Sequence, residues 1–466
     1  MLFRFRSVLT LCILVAWLGC RGDDAPPVSV AVTNVTVIDG TGAAPLRNVN
    51  VLISGNRIRS IGQETPPAGS TVVDGSGKFL IPGLWDMHMH VSLLRGPDIL
   101  PMFIAWGITG VRDMGSPDSI FTWRDEIEAG SRLGPRIVSA GLAFVNHATG
   151  EITPGTWGQG ITTAADAPEA VKRVAAHANY VKIQDSFMER EVWLALARES
   201  TARGLQVAGH VPFGLTLEEA IENGLTSIEH SLGLAPAFTT RESELRERVM
   251  SANGDADRYA ALFAADAEAV GEIDDARVRA IAALMVQNGV AVDANLKDLE
   301  SEAFAASGRW NEDPRLDRLA PDLVTEWRES AGRDFNETST DYLRVTFAAM
   351  PALIARLQDL GVMILAGTDA GAMFDFPATD LHRELALLVG VGLTPMEALQ
   401  AATRDPARYM GFADSLGIVR ADYIADLVLL DADPLQDINN TRHIAAVIRS
   451  GRVYDRVALQ SMGERK

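Results

Sequence analysis

The stretch that decides the fold is Ile81-Pro82-Gly83-Leu84-Trp85-Asp86-Met87-His88-Met89-His90, an apolar run that ends in two histidines one residue apart. Alternate residues of a β-strand point to the same face of a sheet. His88 and His90 can therefore direct two imidazoles at one point, as a metal ion requires. A short His-x-His spacing also occurs by chance, so the choice between a metal site and an ordinary strand end depends on the rest of the chain.

Strand-like segments alternate with helical ones after this stretch. Seven more apolar segments follow, each preceded by helix-forming sequence, at residues 107–112, 135–139, 180–183, 205–210, 227–230, 290–293 and 362–369. Eight strands with intervening helices predict an α/β fold of the (β/α)8 TIM-barrel type over residues 82–414. Two acidic, Ala-rich connections, residues 235–275 and 297–340, leave the carboxyl end of this barrel. They are either walls of a pocket or unrelated surface insertions.

Short strands also occur at both ends of the chain. Residues 28–81 contain strand patterns separated by Gly, Asn, Asp and Pro, and a matching set lies within residues 415–466. Neither set is large enough to bury much surface alone. We therefore predict one small β-sandwich that is built from both ends of the chain.

The first twenty residues differ from everything that follows. Two arginines precede a short apolar run that ends at Cys20, which is typical of a bacterial secretory signal and too short for a membrane span. Residues 17–20, Trp-Leu-Gly-Cys, resemble an imperfect lipoprotein cleavage box. We expect residues 1–20 to be a signal peptide and the protein to be exported, either free in the periplasm or anchored to the outer membrane by a lipid on Cys20.

Composition excludes two classes of chemistry. The 61 acidic and 42 basic residues give a net charge of −19, and no Lys/Arg cluster appears, so nucleic acid is not an expected partner. Both cysteines, Cys12 and Cys20, lie in the predicted signal, so the mature chain has no thiol nucleophile and no disulfide.

Polar residues recur where the predicted strands end, and they would face one mouth of the barrel: His88, His90, Lys182, His210, His230 and Asp369. Taken singly, each has an ordinary explanation as an exposed histidine, an edge lysine or a turn residue. Lys182 is the most informative, because it lies where a parallel strand should be apolar on both faces and a buried ammonium is costly. Its neutral amine could take up CO₂ and become a carbamate, an anionic ligand with two oxygens.

The order of five motifs closely resembles the metal-dependent amidohydrolase superfamily. They are Pro-Gly-Leu-Trp-Asp-Met-His-Met-His, Val-Lys-Ile, Ala-Gly-His, Ile-Glu-His and Ala-Gly-Thr-Asp-Ala-Gly. Within it, the chain is similar to the imidazolonepropionase-related branch that includes prolidase-like Xaa-Pro and Xaa-Arg dipeptidases. The resemblance implies two divalent cations, most simply Zn²⁺, with Mn²⁺, Fe²⁺ or Co²⁺ as alternatives. One would be bound by His88, His90 and Asp369, the other by His210 and His230, and carboxylated Lys182 would bridge them.

The chemistry that this resemblance implies is amide hydrolysis by a hydroxide shared between the cations, with Asp369 as general base and then general acid. The expected substrate is a small molecule, a dipeptide or an N-acyl amino acid. His147 follows the third predicted strand and is either a substrate contact or a surface histidine. Dipeptidase-like members commonly carry a Tyr three residues after the sixth-strand His, whereas this chain has Gly233. The sequence gives no indication of the oligomeric state.

Two other functions stay open at this point. The same metal site would also hydrolyse a lactone, an ester or a phosphotriester, because the nucleophile would be unchanged. A protein of another class, a ligand-binding lipoprotein without catalysis, is disfavoured because all six ligand positions are filled.

Overall fold

The computed structural model describes residues 27–148, 150–152 and 157–463. The predicted signal peptide and Cys20 lie outside these residues. Within them, no helix has both the length and the apolar character that crossing a membrane requires.

The described residues form strands and helices in alternation over most of the chain. The strands are β1 (Val28–Val37), β2 (Leu46–Ser54), β3 (Arg57–Gly62), β4 (Thr71–Asp74), β5 (Phe79–Pro82), β6 (Leu84–Met89), β7 (Ile108–Asp113), β8 (Arg136–Ser139), β9 (Ala143–Val145), β10 (Gly158–Gly160), β11 (Val181–Ile183), β12 (Val207–Gly209), β13 (Leu225–Glu229), β14 (Ala291–Asp293), β15 (Met363–Leu365), β16 (Leu427–Leu430), β17 (Ile444–Arg449) and β18 (Arg452–Asp455). The helices are α1 (Leu100–Ala105), α2 (Ser119–Glu128), α3 (Ala167–Val174), α4 (Arg190–Ala202), α5 (Leu217–Glu222), α6 (Glu242–Met250), α7 (Asp255–Ala269), α8 (Asp275–Asn288), α9 (Leu296–Ala303), α10 (Pro321–Asp334), α11 (Glu337–Asp359), α12 (Thr379–Gly390), α13 (Pro395–Ala401), α14 (Arg404–Tyr409) and α15 (Arg456–Gly463).

The central strands pair in parallel, which gives an α/β fold. One sheet has the order β6-β7-β8, and the other has the order β10-β9-β11-β12-β13-β14-β15. Each of the eight strands predicted for the barrel is present within a few residues of its expected position, whereas β9 and β10 were not predicted. The backbone N–H of Met87 donates to Ala366 O at 3.0 Å, so β6 also lies beside the segment that follows β15.

Packing explains why these short apolar segments become buried strands. Strand β6 is buried along its whole length, and the ring of Trp85 lies against the backbone of β7. A Cβ atom on Gly110 would lie 2.3 Å from that ring, so the close approach of the two strands requires glycine there. Helix α4 buries Val192, Leu196 and Ala197, which follow the helical period and cover one side of the strands.

Strands from the two ends of the chain share one sheet. Its order is β18-β17-β16-β5-β1-β2-β3, with β4 also paired to β1. The two sets meet where β5 runs antiparallel to β16 and Ile81 lies opposite Val428. The expected association of both ends is therefore present as one hydrogen-bonded sheet. Its packing into the two layers of a sandwich, and the domain limits at residues 81 and 414, stay predictions.

Candidate metal centre

The structure brings the six predicted ligand residues to one end of the parallel strands. His88 lies in β6, His90 directly after it, and Lys182 lies in β11. His210 and His230 directly follow β12 and β13, and Asp369 lies four residues after β15. Because the strands are parallel, their carboxyl ends lie along the same edge.

Asp369 is the side chain around which the histidines group. Its Oδ1 lies 3.4 Å from His88 Nε2 and 3.2 Å from His90 Nε2. Its Oδ2 lies 3.9 Å from His230 Nε2. The ring centroids of His210 and His230 are 4.8 Å apart, so His210 joins the group through His230.

Lys182 is close enough to these histidines to affect their titration. It is fully buried, and burial lowers the pKa of its ammonium to about 8. Burial lowers the pKa of both His88 and His210 well below the usual value, and the charge of Lys182 lowers both further. Neutral imidazoles bind a metal ion and a neutral amine takes up CO₂, and the lowered pKa values favour these neutral forms.

Several buried polar atoms of this group have no hydrogen-bond partner among the described residues. They are His88 Nε2, His90 Nδ1, Lys182 Nζ, His210 Nε2 and Asp369 Oδ1. An unsatisfied buried polar atom costs about 1–3 kcal/mol, so five of them in one place require an explanation. Bound divalent cations would satisfy imidazole nitrogens and a carboxylate oxygen. The residues present therefore fit a metal centre.

Two of the six residues have a backbone conformation that L-amino acids rarely adopt. The φ angle is +66° at His230 and +56° at Asp369. Such strain costs of the order of 1–3 kcal/mol per residue and is concentrated at functional sites. The backbone N–H of Asp369 donates to His88 O at 2.8 Å, which holds this turn against the end of β6.

A buried network of charged side chains contacts His88, and this network was not predicted from the sequence. Glu229 Oε2 lies 3.0 Å from His88 Nδ1, and both side chains are fully buried. The guanidinium of Arg112 donates to both oxygens of Glu229 at 2.8 Å and to Asp293 Oδ2 at 3.3 Å. A histidine that binds a metal ion through one nitrogen is commonly oriented by a carboxylate on the other, which is the arrangement seen here. The argument that singled out Lys182, a charge inside a parallel strand, applies equally to Glu229.

A second set of carboxylates supports His230 and comes from one of the long connections. Asp298 in α9 accepts a hydrogen bond from His230 Nδ1 at 2.9 Å. Burial, and then the negative charge of Asp369, raise the pKa of Asp298 to about 7. Carboxylate oxygens of Asp298, Asp369 and Asp375 lie within 4.8 Å of one another. The start of the connection at residues 297–340 therefore forms a wall of this site. Of the two interpretations of this connection, a pocket wall and an unrelated surface insertion, the structure supports the pocket wall.

His147 does not belong to the residues that the structure brings together here. It follows β9 and is exposed. Burial raises the pKa of the carboxyl group of Asp185, which follows β11, and the charge of His147 opposes this shift. Contact between His147 and a substrate stays a prediction.

Comparisons with known proteins agree with this geometry. The profile of the amidohydrolase family matches residues 79–454. An uncharacterized protein of Mycobacterium tuberculosis is 26% identical over 414 residues, which cover 84% of this chain and 88% of that protein. Ochratoxinase of Aspergillus niger is 24% identical over 92% of this chain and 87% of its own.

Solved structures show the same fold. The structure of a Xaa-Pro dipeptidase with bound methionine superposes with a TM-score of 0.65 at 19% identity, over 91% of this chain and 99% of that one. The family profile covers most of the 466 residues and includes all six residues grouped around Asp369. The chain is therefore a hydrolytic enzyme that belongs to the amidohydrolase family.

Proposed function

We propose that this enzyme hydrolyses the amide bond of a small molecule, a dipeptide or an N-acyl amino acid, with two divalent cations. The observation that carries the proposal is the group of five unpartnered buried atoms around Asp369. We also infer that the two parallel sheets form one closed (β/α)8 barrel. The hydrogen bond from Met87 to Ala366, between the first and last strand regions, supports this inference.

His88, His90 and Asp369 would hold one cation, and His210 and His230 the second. Lys182, as its carbamate, would contribute an oxygen to each. Imidazole and carboxylate ligands suit Zn²⁺. When bound, the two cations would supply the Lewis acidity that lets water attack a carbonyl at neutral pH.

Asp369 is the residue that would move the proton. Burial opposes its ionisation, but the nearby imidazole of His90 and the charges of His230 and Lys182 hold its pKa below the usual value. The ionised carboxylate can therefore accept the proton of the attacking water. It would then release this proton to the leaving nitrogen, as base and acid in turn.

The proposed substrate class is based on the similar proteins and on the candidate metal ligands. The similar proteins include a Xaa-Pro dipeptidase, whose name describes cleavage of a peptide bond, and an ochratoxinase. We assign the chain to the imidazolonepropionase-related, prolidase-like branch on this likeness. We also propose that the enzyme is exported, as a periplasmic protein or a lipoprotein anchored through Cys20, from the pattern of residues 1–20.

A substrate screen with matched variants tests the proposal. The mature enzyme, reconstituted with Zn²⁺ and bicarbonate, is assayed on dipeptides and N-acyl amino acids beside their esters and on lactones. His210→Ala and Lys182→Ala should each lower amide hydrolysis by more than about a hundredfold, since even outer partners of metal ligands contribute ten- to a hundredfold. His443→Ala, an exposed histidine, is the control and should keep wild-type activity. Amide hydrolysis that survives in both alanine variants, or turnover of esters and lactones alone, would contradict the proposal.

A further inference from the structure

A second group of charged side chains surrounds a cavity that the metal centre does not use. The cavity has a volume of about 360 Å³, and we call it the arginine cavity. Six cationic side chains line it: Lys297, Arg309, Arg315, Arg318, Arg383 and Arg442. Trp106 and Trp310 also line it, and none of the six candidate metal ligands does.

Buried carboxylates hold four of these cations in place. Glu300 is 2% exposed and accepts hydrogen bonds from Arg383 at 2.8 Å and from Arg309 at 3.2 Å. Asp380 is fully buried and lies 3.1 Å from Lys297 Nζ. It also accepts a hydrogen bond from Arg315, whose other partner is Asp313. These cations are compensated, and their partners fix the direction of the guanidinium groups.

Arg318 and Arg442 are left without such a partner. Neither forms an ion pair with a carboxylate in the part of the chain that the structure describes. Both also line an adjacent cavity of about 280 Å³, where Arg456 is paired with Asp431. Partial loss of hydration lowers the pKa of Arg442, and the charges of Arg315 and Arg383 lower it further although Asp380 raises it. Two exposed guanidinium groups without a carboxylate partner therefore line both cavities, in a chain whose net charge is −19.

We propose that the arginine cavity binds a small dianion of the phosphate-monoester class. The two charges of the oxyanion would compensate Arg318 and Arg442, and its carbon part would pack against Trp106 and Trp310. Arginine is suited to this role because its planar fork matches phosphate oxygens and because it stays ionised. The volume lies at the lower end of the range for small-ligand pockets, about 300–1,000 Å³, which fits a phosphate ester of a few carbons or one ring.

Calorimetric titration of the metal-loaded enzyme with phenyl phosphate tests the proposal. Wild-type enzyme should bind it, and the double variant Arg318→Gln/Arg442→Gln should bind it at least tenfold more weakly. Arg47→Gln removes an exposed arginine of β2 and should bind it like the wild type. Equal hydrolytic activity and thermal unfolding of all three proteins would establish that the fold is intact.

Two comparisons separate this site from the metal centre. Phenyl phosphate that binds only at the candidate metal ligands would have the same affinity for the double variant as for the wild type, and this result would overturn the proposal. Benzoate has the same ring but one charge, and it should bind at least tenfold more weakly than phenyl phosphate. Equal binding of benzoate and phenyl phosphate would also overturn it, because the ring alone would then provide the affinity.

Discussion

Replacing Glu229 by glutamine tests whether the buried network below His88 controls metal binding. Glu229 Oε2 lies 3.0 Å from His88 Nδ1, and the same carboxylate accepts both hydrogen bonds from Arg112. A glutamine amide offers one acceptor and one donor in place of two acceptors. If its oxygen faces His88, its NH₂ group faces the guanidinium donor, so one partner loses its hydrogen bond.

The expected effect has two parts. Loss of a carboxylate that orients a metal-binding histidine costs about ten- to a hundredfold in metal affinity, or about 1.4–2.7 kcal/mol. Removing one partner of a buried ion pair costs about 3–5 kcal/mol of unfolding free energy. Asp293 Oδ2 remains 3.3 Å from the Arg112 guanidinium, so we expect the lower end of that range.

Competition with a chelator for Zn²⁺ measures the first part, and urea unfolding measures the second. Glu384→Gln is the matched control, because Glu384 is also fully buried but bonds the backbone of Leu296 and Lys297 rather than a histidine. Burial raises the pKa of Glu384 to about 8, so a neutral amide resembles its protonated form. Wild-type Zn²⁺ affinity in Glu229→Gln, or an equal loss in both variants, would refute the role of Glu229.

Three further results are expected. Burial, and then the charge of Arg442, lower the pKa of the buried His382 from 6.5 to about 3. At pH 5 this imidazole is protonated only in the unfolded chain, so burying it should lower the free energy of unfolding by about 2 kcal/mol. At pH 8 the imidazole is neutral in both states, and its burial should have no such cost. Urea unfolding of wild type and His382→Gln at both pH values checks this, and a pH-independent difference between them would contradict it. Lys182→Met should retain at most one Zn²⁺ per chain by elemental analysis, against two in the wild type, since the proposed bridge is lost. Gly110→Ala should lower the unfolding free energy by at least about 1–3 kcal/mol in the same urea assay, because its Cβ would lie 2.3 Å from Trp85; an unchanged midpoint would contradict that packing.

The sequence was most informative for the barrel strands, which are short apolar segments, and for the polar residues at the ends of those strands. Each predicted barrel strand is a short apolar run, and five of the eight carry one or two of the six candidate ligands within or just after the strand. Lys182 could be found because an ammonium inside a parallel strand is anomalous. Strands β9 and β10 were missed because they have three residues each, and β10 is Gly-Gln-Gly, which has no strand-like pattern.

The partners of the histidines could not be predicted in the same way. Glu229 is 141 residues from His88, and Asp298 is 68 residues from His230. Such contacts depend on how strands and connections pack in three dimensions, and the local periodicity of hydrophobic residues does not predict them. Asp375 lies after β15 in a loop whose sequence resembles an ordinary turn. Its approach to Asp369 depends on the packing of α9 beside that loop, where Lys297 Nζ lies 3.1 Å from Asp375 Oδ1.

Two buried cations explain how so many carboxylates can lie near the candidate metal ligands. Arg112 compensates Glu229 and Asp293 on the side of His88, and Lys297 compensates Asp375, which lies beside Asp369. Burial raises the pKa of Asp293 and Asp375 well above the usual value, and the charges of Arg112 and Lys297 respectively oppose this shift. A protonated carboxyl group is a weaker acceptor for a metal-bound histidine than a carboxylate. Arg112 and Lys297 therefore reduce the negative charge around the candidate metal ligands, although neither is one of those ligands.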